Sequence, residues 1–278
     1  MPTINLEKCT HCLKCEKDCP SGAIKTEEGK IYNSCIHCGH CVAICPEAAV
    51  NPDKGAIVPL TETTITPEEF CNLSTGLRSC RRYMKKPVSK EAINKLIENM
   101  KHYPSASNAR PVQITVVQTK ENVQKLNDRT AESLIKTLNF ITNPILKPFL
   151  KVLAPSVNTN GLKKYKKLFI EKKQNGDTSQ ICHNAPMVML FHAPESKFGM
   201  ASSDAHIWAT YTSIFAKTMG LGSCFIGFII KAMESDKKLR KEFNIPIGQK
   251  VLAALTIGHP KVKYLNETSR EEPKFKTM

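Results

Sequence analysis

The chain has 278 residues, of which 41% are hydrophobic and 23% charged, and its formal net charge is +15. These are globular proportions in a chain long enough for one large domain and a small one, and they exclude a mostly disordered protein. The basic residues are scattered, aromatic residues make up only 6%, and no helix-turn-helix or finger spacing occurs, so nucleic acid is not an expected partner.

Cys9, Cys12, Cys15 and Cys19 with Pro20 are followed 26 residues later by Cys35, Cys38, Cys41 and Cys45 with Pro46, at the same internal spacing. This duplicated C-x-x-C-x-x-C-x-x-x-C-P run is the spacing of two 4Fe-4S clusters: three closely spaced thiolates hold three iron corners, and the fourth cysteine ligates the other cluster. The expected ligand sets are Cys9, Cys12, Cys15 and Cys45 for one cluster, and Cys35, Cys38, Cys41 and Cys19 for the other. Zinc needs four ligands and has no use for eight in this pattern. His11, His37 and His40 lie inside the runs but face saturated clusters, so solvated loop positions are expected. Gly22 and Gly39 are expected to let the backbone bend close to the sulfurs, and Pro20 and Pro46 to start short helices or turns. Short strands at Ile31 and Tyr32, and at Ala56, Ile57 and Val58, are expected to flank the runs. Cys71, Cys80, Cys182 and Cys224 show no ligand spacing and are expected to be small core residues.

No basic-then-apolar leader precedes Cys9, which points to a reducing, cytoplasmic setting. The most apolar long stretch, residues 134–154, is interrupted by Lys136, Pro144, Lys147, Pro148 and Lys151 and cannot span a bilayer. Two oxidised clusters at about −2 each and a bound phosphate would cut the positive excess to roughly +9. A surface of that charge suits anionic cofactors or an acidic partner such as a ferredoxin or flavodoxin.

Residues 51–67 are rich in Pro, Gly and Thr and read as a connector. The organisation expected is a cluster domain over 1–56, a linker over 57–66 and a second domain over 67–278. Thr66, Pro67, Glu68 and Glu69 form a helix start, and Ser89 opens a second helix whose Ile93, Leu96, Ile97 and Met100 recur at helical spacing. Residues 112–118, 187–192 and 251–257 read as strands, residues 201–219 as a buried helix around Trp208, and residues 235–243 as a shorter charged helix. The Lys- and Pro-rich stretch 134–176 reads as irregular helices. Strands interleaved with helices give an α/β or α+β second domain.

Four segments of that domain combine: LRSCRRYMKKPV (77–88), PSASNARP (104–111), GLGSCFIGF (220–228) and IGHP (257–260) with Arg270 beyond it. Together they resemble the nitroreductase family of FMN enzymes, in the subgroup with an N-terminal ferredoxin domain. The resemblance implies a 2(4Fe-4S) ferredoxin-like domain followed by a nitroreductase-like α+β FMN-binding domain that forms a homodimer, with FMN at the subunit interface. It implies that Arg78, Ser79 and Arg81 grip the phosphate, ribityl chain and pyrimidine edge of FMN, as suits a dianion and a flavin whose reduced form is anionic. Pro104, Ser105, Ala106 and Asn108 would lie on the flavin from the other subunit. Cys224, Phe225, Ile226 and Gly227 would pass over the isoalloxazine, with the Gly227 N–H offered to N5, and Arg270 would meet the phosphate. Leu77, where many members carry arginine, and Arg110, in place of the usual glutamine, depart from the pattern.

What the resemblance implies is an oxidoreductase. Electrons would pass from NAD(P)H or a ferredoxin-type donor through the clusters to FMN, and on to a nitroaromatic, a quinone or an activated alkene. No side chain stands out as a general acid, so no catalytic residue is nominated. The alternative is an electron-transfer relay or flavin-binding partner protein that transforms no small molecule.

Overall fold

The computed structural model describes residues 1–145, 159–194 and 199–278, with the side chains of residues 159 and 160 left aside. The middle of the 134–176 stretch therefore lies outside the described residues. The chain divides into two compact units. The first is Met1–Ile65 together with Ser105–Arg110, and the second is Thr66–Pro104 with Pro111–Met278. The loop Ser105–Arg110, expected in the second domain, thus groups with the first.

The first unit contains β1 (Thr3–Ile4), α1 (Lys14–Lys17), β2 (Ile24–Lys25), β3 (Lys30–Ile31), α2 (His40–Ile44) and β4 (Val50–Asn51). β1 pairs antiparallel with β4, and β2 with β3. The sequence duplication is also a duplication of backbone shape. Positive φ occurs at His11 and His37, at Leu13 and Gly39, and at Gly22 and Ala48, each pair 26 residues apart. Left-handed backbone is unfavourable for any residue but glycine, so its recurrence at non-glycine positions means that the loop geometry is imposed from outside the residue. The small core repeats as well: Ala23, Ile24, Ala49 and Val50 are each 1% exposed. Pro20 and Pro46 start turns, and the short helices lie before them, each carrying a cysteine of its run, Cys15 on α1 and Cys41 on α2. Residues 56–58 form no strand, and Val58 is largely exposed, because the closing partner of β1 is β4 instead.

The second unit begins with α3 (Pro67–Thr75), whose start is a capping box: Thr66 Oγ1 accepts from Glu69 N, and the Glu69 carboxylate accepts from Thr66 N at 2.8 Å. α4 (Lys90–Asn99) is capped by Ser89 and buries Ile93 and Leu96, with Met100 buried just beyond, while Ile97 stays exposed. A four-stranded antiparallel sheet follows, made of β5 (Gln113–Gln118), β6 (Met187–Pro194), β7 (Gly222–Phe225) and β8 (Gln249–Gly258) in the order β5-β6-β8-β7. β6 is buried in all but its last residue, as a central strand covered on both faces must be.

Alternation along β6 sorts its side chains into two layers. Val188 and Leu190 pack with Leu126 and Leu134 of α5 (Lys120–Ile141), and with Ile229 and Met233 of α8 (Gly227–Ser235). Met187, Met189 and Phe191 pack with Leu96 and with Trp208 of α7 (Ala201–Thr218). The second unit is therefore a helix-sheet-helix sandwich. α6 (Thr159–Gln174) lies against α5, and α9 (Lys237–Glu242) follows α8 under an Asp236 cap. Among the described residues no helix is long and apolar enough to cross a membrane.

The structure departs from the expected elements in three further places. α5 begins well before residue 134. Residues 220–228, read as one loop, are strand β7 and the first turn of α8. Cys80, Cys182 and Cys224 are buried, but Cys71 is exposed, because α3 buries no residue at all.

Two glycines at the edge of this sheet are required by packing rather than by φ. A Cβ on Gly222 would come within 2.8 Å of Cys80 Cβ, and one on Gly258 within 2.5 Å of Pro186 Cδ and 2.9 Å of Tyr83 Cδ1. The Gly258→Ala substitution should therefore cost about 1–3 kcal/mol by overpacking. Thermal unfolding should record a fall of several degrees, and an unchanged melting temperature would contradict this packing.

Candidate functional site

In the first unit, Cys19, Cys35, Cys38 and Cys41 line one small cavity, walled by Ile24, Ile31 and Ile36. Cys9, Cys12, Cys15 and Cys45 line a second, walled by Ile4, Leu13 and Val50. Each cavity takes three cysteines of one run and the last of the other. Backbone N–H groups point at these sulfurs: Ala23 N donates to Cys19 Sγ and Ala49 N to Cys45 Sγ, both at 3.2 Å, and His37 N donates to Cys35 Sγ at 3.4 Å.

The electrostatics suit a cationic guest. Burial pushes the Cys41 thiol up to about 11 and raises that of Cys15. Burial also opposes ionisation of Cys19, but there the Ser21 hydroxyl and neighbouring N–H groups outweigh it, and its thiol is lowered. Buried thiols ionise readily beside a metal, and metal-bound thiolates are the ligands of iron-sulfur clusters. Among the described residues no three His, Cys, Asp or Glu side chains converge closely enough to hold a single metal ion. Four thiols lining each cavity, with backbone N–H groups aimed at the sulfurs, are the donor set an iron-sulfur cluster takes, and they fit one. His11 and His40 are exposed, and the exposed His37 ring pairs with Asp53.

In the second unit, three of the four motif segments meet. The extended backbone after α3 runs beside β7: Ser79 bridges Ser223 in parallel, and Cys80 N donates to Ser223 O at 2.8 Å. Further on, Tyr83 bridges Pro260, Met84 N donates to His259 O at 2.8 Å, and Lys261 N donates to Arg82 O at 2.8 Å. Beneath them the buried Tyr83 hydroxyl lies 2.9 Å from Thr256 Oγ1, which donates to Cys224 O at 3.1 Å. Burial raises the Tyr83 phenol, so it stays protonated and able to donate.

This framework presents a cleft lined by Arg81, His183, Cys224, Phe225, Ile226 and Gly227. Burial and then the Arg81 charge lower the His183 ring, which is therefore neutral at pH 7. Burial raises the Cys224 thiol against the lowering effects of the Ser79 hydroxyl and Arg81. Gly227 has no atom within 4 Å of the position of a Cβ. Neither its φ nor packing inside the chain requires glycine there, and its backbone is open to whatever fills the cleft. A cation, an open backbone and exposed Phe225 and Phe228 rings fit an anionic, planar, apolar-faced group such as a flavin nucleotide.

The remaining predicted residues lie elsewhere. Arg78 lines a separate cavity with Lys217 and Lys263, where it donates to Thr75 O at 2.6 Å, Leu77 O at 2.7 Å and Thr268 Oγ1 at 3.0 Å. Arg78 and Arg81 are three residues apart in extended backbone, where odd spacings face opposite ways. Arg270 is exposed and lines neither cavity. Pro104 O accepts from Trp208 Nε1 at 2.9 Å. Ser105 Oγ accepts from Arg110 N at 2.9 Å, and Ala106 opens a 3-10 turn ending at Asn108. The Asn108 amide donates to His37 O at 2.8 Å and to Ile36 O at 3.2 Å, both within the first unit.

Tyr83, Thr256 and His183 were not marked out by the sequence. Tyr83 stands at the aromatic position of the first motif, and that position was the available signal; Thr256 and His183 carry none.

The family model described as "Nitroreductase family" matches residues 76–259, more than half of the chain, and one described as "4Fe-4S dicluster domain" matches residues 1–54. A nitroreductase with bound FMN from Bacteroides fragilis NCTC 9343 is similar at a TM-score of 0.57 and 16% identity, covering 76% of this chain and 98% of its own. An FMN-dependent nitroreductase from Clostridium difficile R20291 is similar at 0.54 and 21% identity, covering 76% and 100%. A nitroreductase with bound FMN from Desulfitobacterium hafniense DCB-2 gives 0.53 and 16%, covering 73% and 93%. At these identities the likeness is one of fold. No curated protein matches the chain.

The composition of the two cysteine cavities gives a direct expectation. Cys19→Ser should damage the cluster of the Cys35 run and spare that of the Cys9 run, so iron falls from about eight per chain and one of two cluster signals is altered. Damage confined to the Cys9-run cluster would contradict the crossed arrangement.

Proposed function

The chain belongs to the nitroreductase family, and on that footing we propose that it is an iron-sulfur flavoprotein oxidoreductase, with two 4Fe-4S clusters on its first unit and FMN in the cleft of its second. The observation that carries this reading is the pairing, in one chain, of two four-cysteine cavities with a cleft lined from two motif segments, by Arg81 and by residues 224–228. When bound, FMN supplies both hydride and single-electron chemistry and the clusters supply single-electron transfer.

The chain's own residues divide the remaining work. Arg81 brings positive charge to the cleft and favours an anionic ligand there. Gly227 leaves its N–H free of side-chain cover, and the Tyr83–Thr256 hydroxyl pair fixes the Cys224 carbonyl that leads into Phe225 and Ile226. Neutral His183 walls the cleft without adding positive charge to that of Arg81 and Lys231. Ser79, beside Ser223 and Cys224, is proposed for the phosphate side, and Pro104, Ser105, Ala106 and Asn108 for the flavin of a homodimer, whereas Arg78, in a separate cavity, and Arg270, in neither, stay outside the cleft. The electron donor on this reading is NAD(P)H or an acidic ferredoxin or flavodoxin, and the acceptor is a nitroaromatic, a quinone or an activated alkene. The setting is reducing cytoplasm.

Anaerobically purified protein should contain about eight iron and about one FMN per chain, and its reduced form should be reoxidised saturably by nitroaromatics or quinones. Iron without flavin would contradict the reading of the second unit. Failure of every small acceptor to reoxidise it, with rapid transfer to a protein acceptor, would favour a relay. Gly227→Ala should leave the melting temperature nearly unchanged yet lower bound flavin severalfold; full flavin content in that variant would contradict the placement of the cleft.

A further inference from the structure

The loop Ser105–Arg110 is part of the cluster unit although it is some seventy residues away in sequence. It is held in an unfavourable shape: Ser107, Asn108 and Arg110 all have positive φ, at 49°, 52° and 47°. Such backbone persists where its surroundings fix it, and Asn is among the few side chains that tolerate it. What Asn108 does from that position is specific. Its amide nitrogen donates to Ile36 O and His37 O, the two carbonyls between Cys35 and Cys38.

The Ile36 carbonyl belongs to the same peptide group as the His37 N–H, and that N–H donates to Cys35 Sγ at 3.4 Å. One continuous relay therefore runs from the Asn108 amide, across the Ile36–His37 peptide, to a cluster sulfur. Donation to a carbonyl polarises the peptide and strengthens its N–H as a donor. Hydrogen bonds to the sulfurs help set the reduction potential of an iron-sulfur cluster, because they stabilise its more negative, reduced state. Both acceptors of Asn108 lie in the second cysteine run, so the effect falls on one of the two clusters.

We propose that Asn108 is a positioning residue that raises the reduction potential of the cluster held by Cys35, Cys38, Cys41 and Cys19, acting through the Ile36–His37 peptide group. The proposal rests on the iron-sulfur reading above. It assigns to Asn108 a task within the first unit that is separate from any contact with flavin. The two clusters thereby differ as electron acceptors, and the one beside Asn108 becomes the stronger for this contact.

The test is a redox titration of the full chain followed by electron paramagnetic resonance, at one fixed pH because the His37 ring pairs with Asp53. Wild type is compared with Asn108→Gly, which keeps the left-handed backbone without a donor, and with Asn108→Asp, which keeps the shape but replaces the amide donor. The expected result is that one of the two cluster steps moves against reduction by at least about threefold, roughly 28 mV at 59 mV per tenfold for one electron, while the other stays in place. The Asp variant should move at least as far, since its carboxylate adds negative charge. Unchanged potentials in both variants, equal movement of both steps, or loss of iron from both variants would overturn the proposal; the last would make Asn108 a structural prop. Wild-type protein without cluster signals would instead overturn the iron-sulfur reading itself.

Discussion

Four thiols facing one small apolar cavity cannot all ionise by themselves. Burial holds Cys41 and Cys15 above the ordinary thiol range, and each added thiolate would repel the others. A cationic iron core removes that constraint, and much of the first unit can be understood as the scaffold it requires. The left-handed residues at His11 and His37 and at Leu13 and Gly39 turn the chain tightly enough for three sulfurs to share a cavity. The fourth sulfur comes from the opposite run, so neither half can complete a site alone. On the proposed ligation, a unit with only a few fully buried apolar side chains gains much of its cohesion from the crossed cysteines.

The second unit meets a different constraint with a different device. On the proposed reading its cleft offers backbone to a ligand, and the residues that line it, 224–228, are placed by strand β7 at the edge of the sheet. The segment carrying Ser79, Arg81 and Tyr83 extends that edge, and it can approach only because Gly222 and Gly258 have no side chains to keep it away. The Tyr83, Thr256 and Cys224 hydrogen bonds then tie the arginine segment to the glycine loop. Motifs far apart in sequence thus become one wall. This is the physical reason their joint occurrence was informative where each alone was ambiguous.

Legibility followed the range of the interactions involved. The cysteine runs could be read because iron ligation imposes its spacing locally and twice over. The capped starts of α3 and α4 and the apolar strands β5, β6 and β8 are also local signals. β7 escaped notice because Gly222 and Ser223 have no strand tendency of their own and become a strand only by pairing with Ile257 and Gly258 of β8. The separation of Arg78 from Arg81 follows from an extended backbone that the motif did not disclose. The partnership of Asn108 with Ile36 and His37 uses main-chain acceptors, which look alike at every position of a sequence.

The central claim is that single-electron clusters and a flavin coexist on one polypeptide, and a stoichiometric reductive titration under anaerobic conditions addresses it most directly. The account predicts that cluster and flavin absorbance both bleach over about four electron equivalents per chain, one for each cluster and two for the flavin. Bleaching complete after about two equivalents, with either chromophore absent, would contradict it.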